Sequence, residues 1–155
     1  MQQYRDQLQS ISPSKRLVLA VSVMDWTLDE MGQLESGVVK DCINEGMRVA
    51  REAVRLDADE LTLSEEMLDA WNDVDDQADE PGTTHVMSAI LACADAPEGL
   101  SGEVLYGVLR FCYEAVRERF EEEGSVGSLE AELANVRCVE AISFQKSHIA
   151  DALLR

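Results

Sequence analysis

Four carboxylates, Glu65, Glu66, Asp69 and Asp73, stand at three- and four-residue steps, which places them along one side of an α-helix. Carboxylates gathered this way can hold Mg²⁺, an ion that takes one or two of them together with substrate phosphates. The chemistry would be metal-dependent hydrolysis of a nucleotide phosphate. Such a site also needs bases for the phosphates, and residues 57–80 contain neither Lys nor Arg. The same carboxylates read differently as a surface: a dense negative field that steers a positively charged partner.

Other patterns in the chain are weaker. Asp75-Asp76-Gln77-Ala78-Asp79 matches the DDxxD pattern of helical isoprenoid synthases, which requires a second acidic motif facing the first. In a segment this acidic, one such match arises by chance. Asp73-Val74-Asp75 begins like a calcium loop, but Ala78 stands at the obligatory glycine and Thr84 at the bidentate glutamate. Di-iron helical sites need Glu-x-x-His, and the residues three before His85 and His148 are Gly82 and Gln145. Both histidines read as surface or capping residues. No G-x-S-x-G, P-loop or G-x-G-x-x-G occurs. The four cysteines, Cys42, Cys93, Cys112 and Cys138, form no C-x-x-C pair and no zinc spacing with a histidine, and read as reduced, mostly buried thiols. No catalytic residue, metal site or cofactor is expected.

Charge is distributed unevenly. Acids number 31 and bases 13, for a net charge of -18. Residues 1–56 carry a net charge of -1, residues 57–80 carry -11, residues 81–113 carry -2 and residues 114–155 carry -4. Eight like-charge pairs at helical spacing fall within 57–80, at about 0.2–0.5 kcal/mol of repulsion each. Acids present for solubility or salt adaptation should spread over the whole surface, and residues 1–56 are nearly balanced. A partner-binding face is therefore expected at Glu60, Glu65, Glu66, Asp69, Asp73, Asp75, Asp76, Asp79 and Glu80. Trp71, set among these acids, is the candidate apolar anchor, because tryptophan is enriched at interface hot spots; the alternative, more common for tryptophan, is a ring buried in the core.

The elements that must carry these residues are helices. Ser12-Pro13 pairs a hydroxyl cap with proline at the first helical position. Leu17, Val21, Met24, Leu28 and Met31 follow at three- and four-residue steps. Leu17 to Val23 also fits a buried strand, but its continuation through Trp26 favours helix. Gly32 to Gly37 reads as a turn, and a second amphipathic helix ends near Asp57. Thr62-Leu63-Ser64-Glu65 fits a capping box for a helix to about Ala78, stopped by Pro81-Gly82. Thr83 or Thr84 should cap the next helix, Ser101 a long one and Ser128 the last. A short helix over Tyr4 to Ser10 completes the set. Gly102 and Gly107, inside a predicted helix, should permit close helix packing. The expected architecture is all-α: one domain over residues 1–155, an antiparallel bundle of six or seven helices.

The length of 155 residues allows roughly 69% of the unfolded surface to be buried, enough for a core without staples. The charge argues against nucleic-acid binding and against anionic lipid. The polar start, Met1-Gln2-Gln3-Tyr4, leads into no cleavable apolar run, and no stretch reaches membrane-spanning length. Cytoplasm is the expected compartment.

In its acidic character and helical plan the chain resembles the helical immunity proteins of bacterial polymorphic-toxin and contact-inhibition systems. The similar features are Lys15-Arg16-Leu17 heading an apolar helix, the mid-chain acidic helix with Trp71, and the long closing helix from Ser128. The resemblance is architectural and spans most of the chain. It implies a protein that neutralises one cognate toxin by binding it. Many toxin nuclease domains are basic because they bind nucleic acid, so an acidic inhibitor suits them. The expected partner is thus a basic protein, a toxin domain; a homodimer is compatible with the sequence. The alternatives are a metal-dependent nucleotide phosphohydrolase using Glu65, Glu66, Asp69 and Asp73, and a homo-oligomeric helical regulator.

Overall fold

A computed structural model describes residues 2–35, 37–75, 78–95, 99–120 and 135–154, with the side chains of Gln2, Gln3 and Asp75 outside the description. Seven helices occur among the described residues, and no strand. They are α1 (Gln2–Ser10), α2 (Pro13–Met31), α3 (Gly37–Arg55), α4 (Glu65–Asp75), α5 (Thr83–Ala94), α6 (Gly102–Arg119) and α7 (Val136–Leu154). The all-α expectation holds, and Leu17 to Val23 lies inside α2 rather than in a strand.

The core is built around α6, which packs against α5, α2, α1 and α7. Leu105, Val108 and Cys112 on α6 meet Leu17 and Met24 on α2 and Met87 and Ile90 on α5, all buried. Helix α3 leans on α2 and α5 and carries α4 on its other side. Close approach depends on missing side chains. A Cβ at Gly102 would lie 2.5 Å from the Gln9 amide nitrogen, so α1 rests directly on the start of α6. Gly107, by contrast, has nothing within 4 Å of a built Cβ and serves no packing contact, contrary to expectation.

Helix starts follow local hydrogen bonding. Pro13 occupies the first turn of α2 as expected, although Ser12 makes no side-chain cap bond. The Ser101 hydroxyl accepts from the Val104 amide. The cap of α4 is Ser64, whose hydroxyl accepts from the Met67 amide at 3.2 Å, not Thr62. Leu61 and Leu63 are both buried in the extended lead-in, which holds Thr62 outside the helix. Thr83 and Thr84 do not cap α5 either. Their hydroxyls donate backwards, to the Glu80 and Ala78 carbonyls, and close the turn. The capping position is Gly82, at φ +89, where a Cβ would also meet the Ala115 carbonyl oxygen at 2.7 Å. Ser128 lies outside the described residues. Asn135 caps α7, its side-chain oxygen accepting from the Arg137 amide at 2.9 Å.

Arg16 ties the two halves of the bundle together. It is 6% exposed and donates to the carbonyls of Leu8, Gln9 and Leu100. Burial pulls its pKa below the ordinary arginine value.

Candidate functional site

Residues 57–80 form an extended lead-in, helix α4 and the turn before α5. Helix α4 has acids in its first turn, Glu65 and Glu66, where the positive end of the helix dipole stabilises them. Its apolar residues follow a four-then-three step, Met67, Trp71 and Val74, and this face turns toward α3. Glu65, Glu66, Asp69 and Asp73 are left exposed, together with Glu60 and Asp79 on either side of the helix. Among the described residues Glu60, Glu65, Glu66, Asp69 and Asp79 make no ion pair.

Two of the expected contact residues are corrected. Trp71 is 3% exposed, so its ring is core and offers nothing to a partner. The ring sits on the α3 backbone: a Cβ at Gly46 would lie 2.7 Å from Trp71 Cζ2 and 3.3 Å from Ile90 Cγ2. The step from Met67 through Trp71 to Val74 is the sequence signal for that burial. Glu80 is also committed to the fold. Its carboxylate accepts from the Glu35 amide at 2.6 Å and pairs with Arg119 at 2.8 Å, with side chains only 14% and 17% exposed. Arg119 further donates to the carbonyls of Met31 and Gln33, so one guanidinium fastens the end of α2, the turn before α5 and the end of α6. Asp76 and the Asp75 side chain lie outside the described residues.

Ala78, Asp79 and Glu80 lie outside any helix, and that changes the electrostatics of the segment. Asp79 and Glu80 are not helical neighbours of the residues before them. Asp57, at φ +57, and Glu60 lie in the lead-in. The helical like-charge pairs among described side chains reduce to Glu65/Asp69, Glu66/Asp69 and Asp69/Asp73, all sharing Asp69.

Among the described residues, no three His, Cys, Asp or Glu side chains gather as a metal-holding group. His85, in the first turn of α5, places Nε2 3.0 Å from Glu118 on α6. His148 stacks on Phe144, which stacks in turn on Trp26, at centroid distances of 3.9 and 4.7 Å. None of the four cysteines forms a disulfide; burial raises Cys93 and Cys112 to about 12, with Cys112 adding to the shift at Cys93. No helix of the described residues is long and apolar enough to cross a membrane.

No protein-family model matches this chain, and no curated protein or solved structure matches it at a significant level.

Proposed function

We propose that this chain is a binding protein whose acidic face neutralises a basic protein partner, a toxin domain with nuclease activity. One observation carries the reading. Five carboxylates, at Glu60, Glu65, Glu66, Asp69 and Asp79, are exposed on a segment without a single Lys or Arg. On α3, by contrast, Glu45 and Glu52 are each paired with an arginine one turn away. A face left charged in this way accelerates encounter with a positive surface above the neutral 10⁵–10⁶ M⁻¹s⁻¹ range and rejects nucleic acid. The architectural resemblance to helical immunity proteins supports the partner class.

The test is surface plasmon resonance against a basic toxin domain encoded beside this chain, at two salt concentrations. The parent should associate quickly, with a rate that falls as salt rises. A variant carrying Glu60→Lys, Asp69→Lys and Asp79→Lys should associate slowly, lose the salt slope and fail to protect cells. Equal rates for parent and variant would falsify the proposal and leave the acids as a solubility feature. Tight stoichiometric Mg²⁺ binding that is lost on Asp69→Asn would instead support the phosphohydrolase reading.

A further inference from the structure

An open cleft of about 530 Å³ lies beside the acidic lead-in. One wall is Leu63 and Leu68, from the lead-in and first turns of α4. The opposite wall is the outer face of α5, through Leu91 and Ala92, and Phe111 of α6 closes the floor. The volume falls in the 300–1,000 Å³ range of ordinary ligand pockets. Beside the cleft, α4 is pinned to α3 by Trp71 over Gly46. Leu68, Leu91, Ala92 and Phe111, which line the cleft, are only half-buried.

The stretches of chain that wall this apolar cleft are predominantly acidic, with Arg110 beside Phe111 as the base adjacent in sequence. Asp95 lines it and is exposed. Glu65 stands one helical turn before Leu68 on the same side of α4. Leu91, Ala92 and Ala94 belong to the last turn of α5, where the helix dipole presents its negative end. Residues 56–109, which supply every wall except Phe111, contain fourteen acids and neither Lys nor Arg.

We infer that this cleft receives an apolar side chain flanked by Lys or Arg on a segment of the basic protein partner. The inference rests on the binding role proposed above and supplies what charge alone does not, a desolvated anchor that slows dissociation. Trp71 cannot be that anchor because it is buried, and the cleft takes the place expected of it. Apolar walls select the buried side chain, while Asp95, Glu65 and the α5 terminus select its cationic neighbours.

The probe is a synthetic amphipathic peptide with a leucine face and lysine flanks, compared with an all-polar peptide of equal charge. Binding to the full chain is followed by fluorescence anisotropy at two salt concentrations. The leucine peptide should bind about tenfold more tightly than the polar one. Ala92→Phe and Ser88→Phe, which fill the cleft, should remove that advantage and leave the salt slope unchanged. Asp95→Lys, at an exposed helix end, should weaken binding and flatten the slope, and it serves should both filled variants unfold. Equal affinity of the two peptides, or unchanged binding by the filled variants, overturns the inference. So does a dimer of the parent that Ala92→Phe disperses, since a second copy would then occupy the cleft. Failure of the wider reading looks different: the leucine peptide binds in the cleft, yet no basic toxin is neutralised. Conversely, full protection by Ala92→Phe against a toxin that the parent neutralises removes the cleft and leaves the wider reading intact.

Discussion

Helix α3, with three acids and four bases, and the segment 57–80 around α4, with eleven acids and no base, dispose of their acids in opposite ways. In α3, Glu45 pairs with Arg48 and Glu52 with Arg55, each one turn apart, while Arg51 reaches Asp25 on α2. These hydrogen bonds hold Glu45 and Glu52 below the ordinary glutamate value. Among the described residues Glu65, Glu66 and Asp69 of α4 make no ion pair, and Arg119, brought to the end of the segment from α6, pairs with Glu80. The lesson is that net charge alone says little about what a surface can attract. A carboxylate answered within one helical turn is invisible a Debye length away, whereas one left unanswered adds to a field that reaches a partner.

The comparison can be broken or sharpened by measurement. Trp71→Ala should have the largest effect, a loss of about 3–5 kcal/mol, because it empties the core between α3, α4 and α5. Urea unfolding checks this, and a loss under 1 kcal/mol would contradict the buried ring. Next is alkali. Burial holds Cys93 and Cys112 near 12, above the ordinary thiol value, so the folded state keeps protons that the unfolded state releases. Stability from these thiols is therefore complete below about pH 9 and declines as pH rises toward 12, by about 1 kcal/mol per pH unit for each thiol. Thermal melts between pH 8 and 11 report it, and that decline belongs to the core both regions share.

Arg119→Met tests where the two regions meet. It removes the donor to the Met31, Gln33 and Pro81 carbonyls and the cation paired with Glu80, and about 1–2 kcal/mol of stability should be lost. The smallest effects separate the two faces most cleanly. Asp69→Asn removes all three helical repulsions within α4 and should raise the melting temperature, most visibly at low salt. Arg48→Ala on α3 should leave the melting temperature within error of the parent. If the two substitutions behave alike, α4 is shielded in a way its exposure does not reveal.

Much of the architecture was legible from apolar spacing, because each helix buries residues at three- and four-residue steps. The starts of α2 and α6 were legible from Ser12-Pro13 and Ser101. Other starts were not, for a common reason: hydroxyls have more than one carbonyl or amide within reach. Thr83 and Thr84 satisfy the preceding turn, and Ser64 outcompetes Thr62 because buried Leu61 and Leu63 fix the lead-in. The acidic face was legible as a charge imbalance, but the division of labour within it was not. Glu80 is drawn inward by Arg119, 39 residues away in sequence, and no local pattern announces that pair. The cleft was equally hidden, since its walls come from three separate stretches of chain.

The Arg16 clasp bears on how the molecule opens. Its guanidinium donates to the Leu8 and Gln9 carbonyls at the end of α1, the first of which also accepts from the Ile11 amide, and with the same fork holds Leu100 at the entry to α6. Peeling α1 away would strand a buried cation, and so would releasing Leu100. Neither can fray alone. The two ends of the clasp form one cooperative unit, and amide hydrogens in the second half of α1 and around Leu100 should exchange with solvent through a single shared opening.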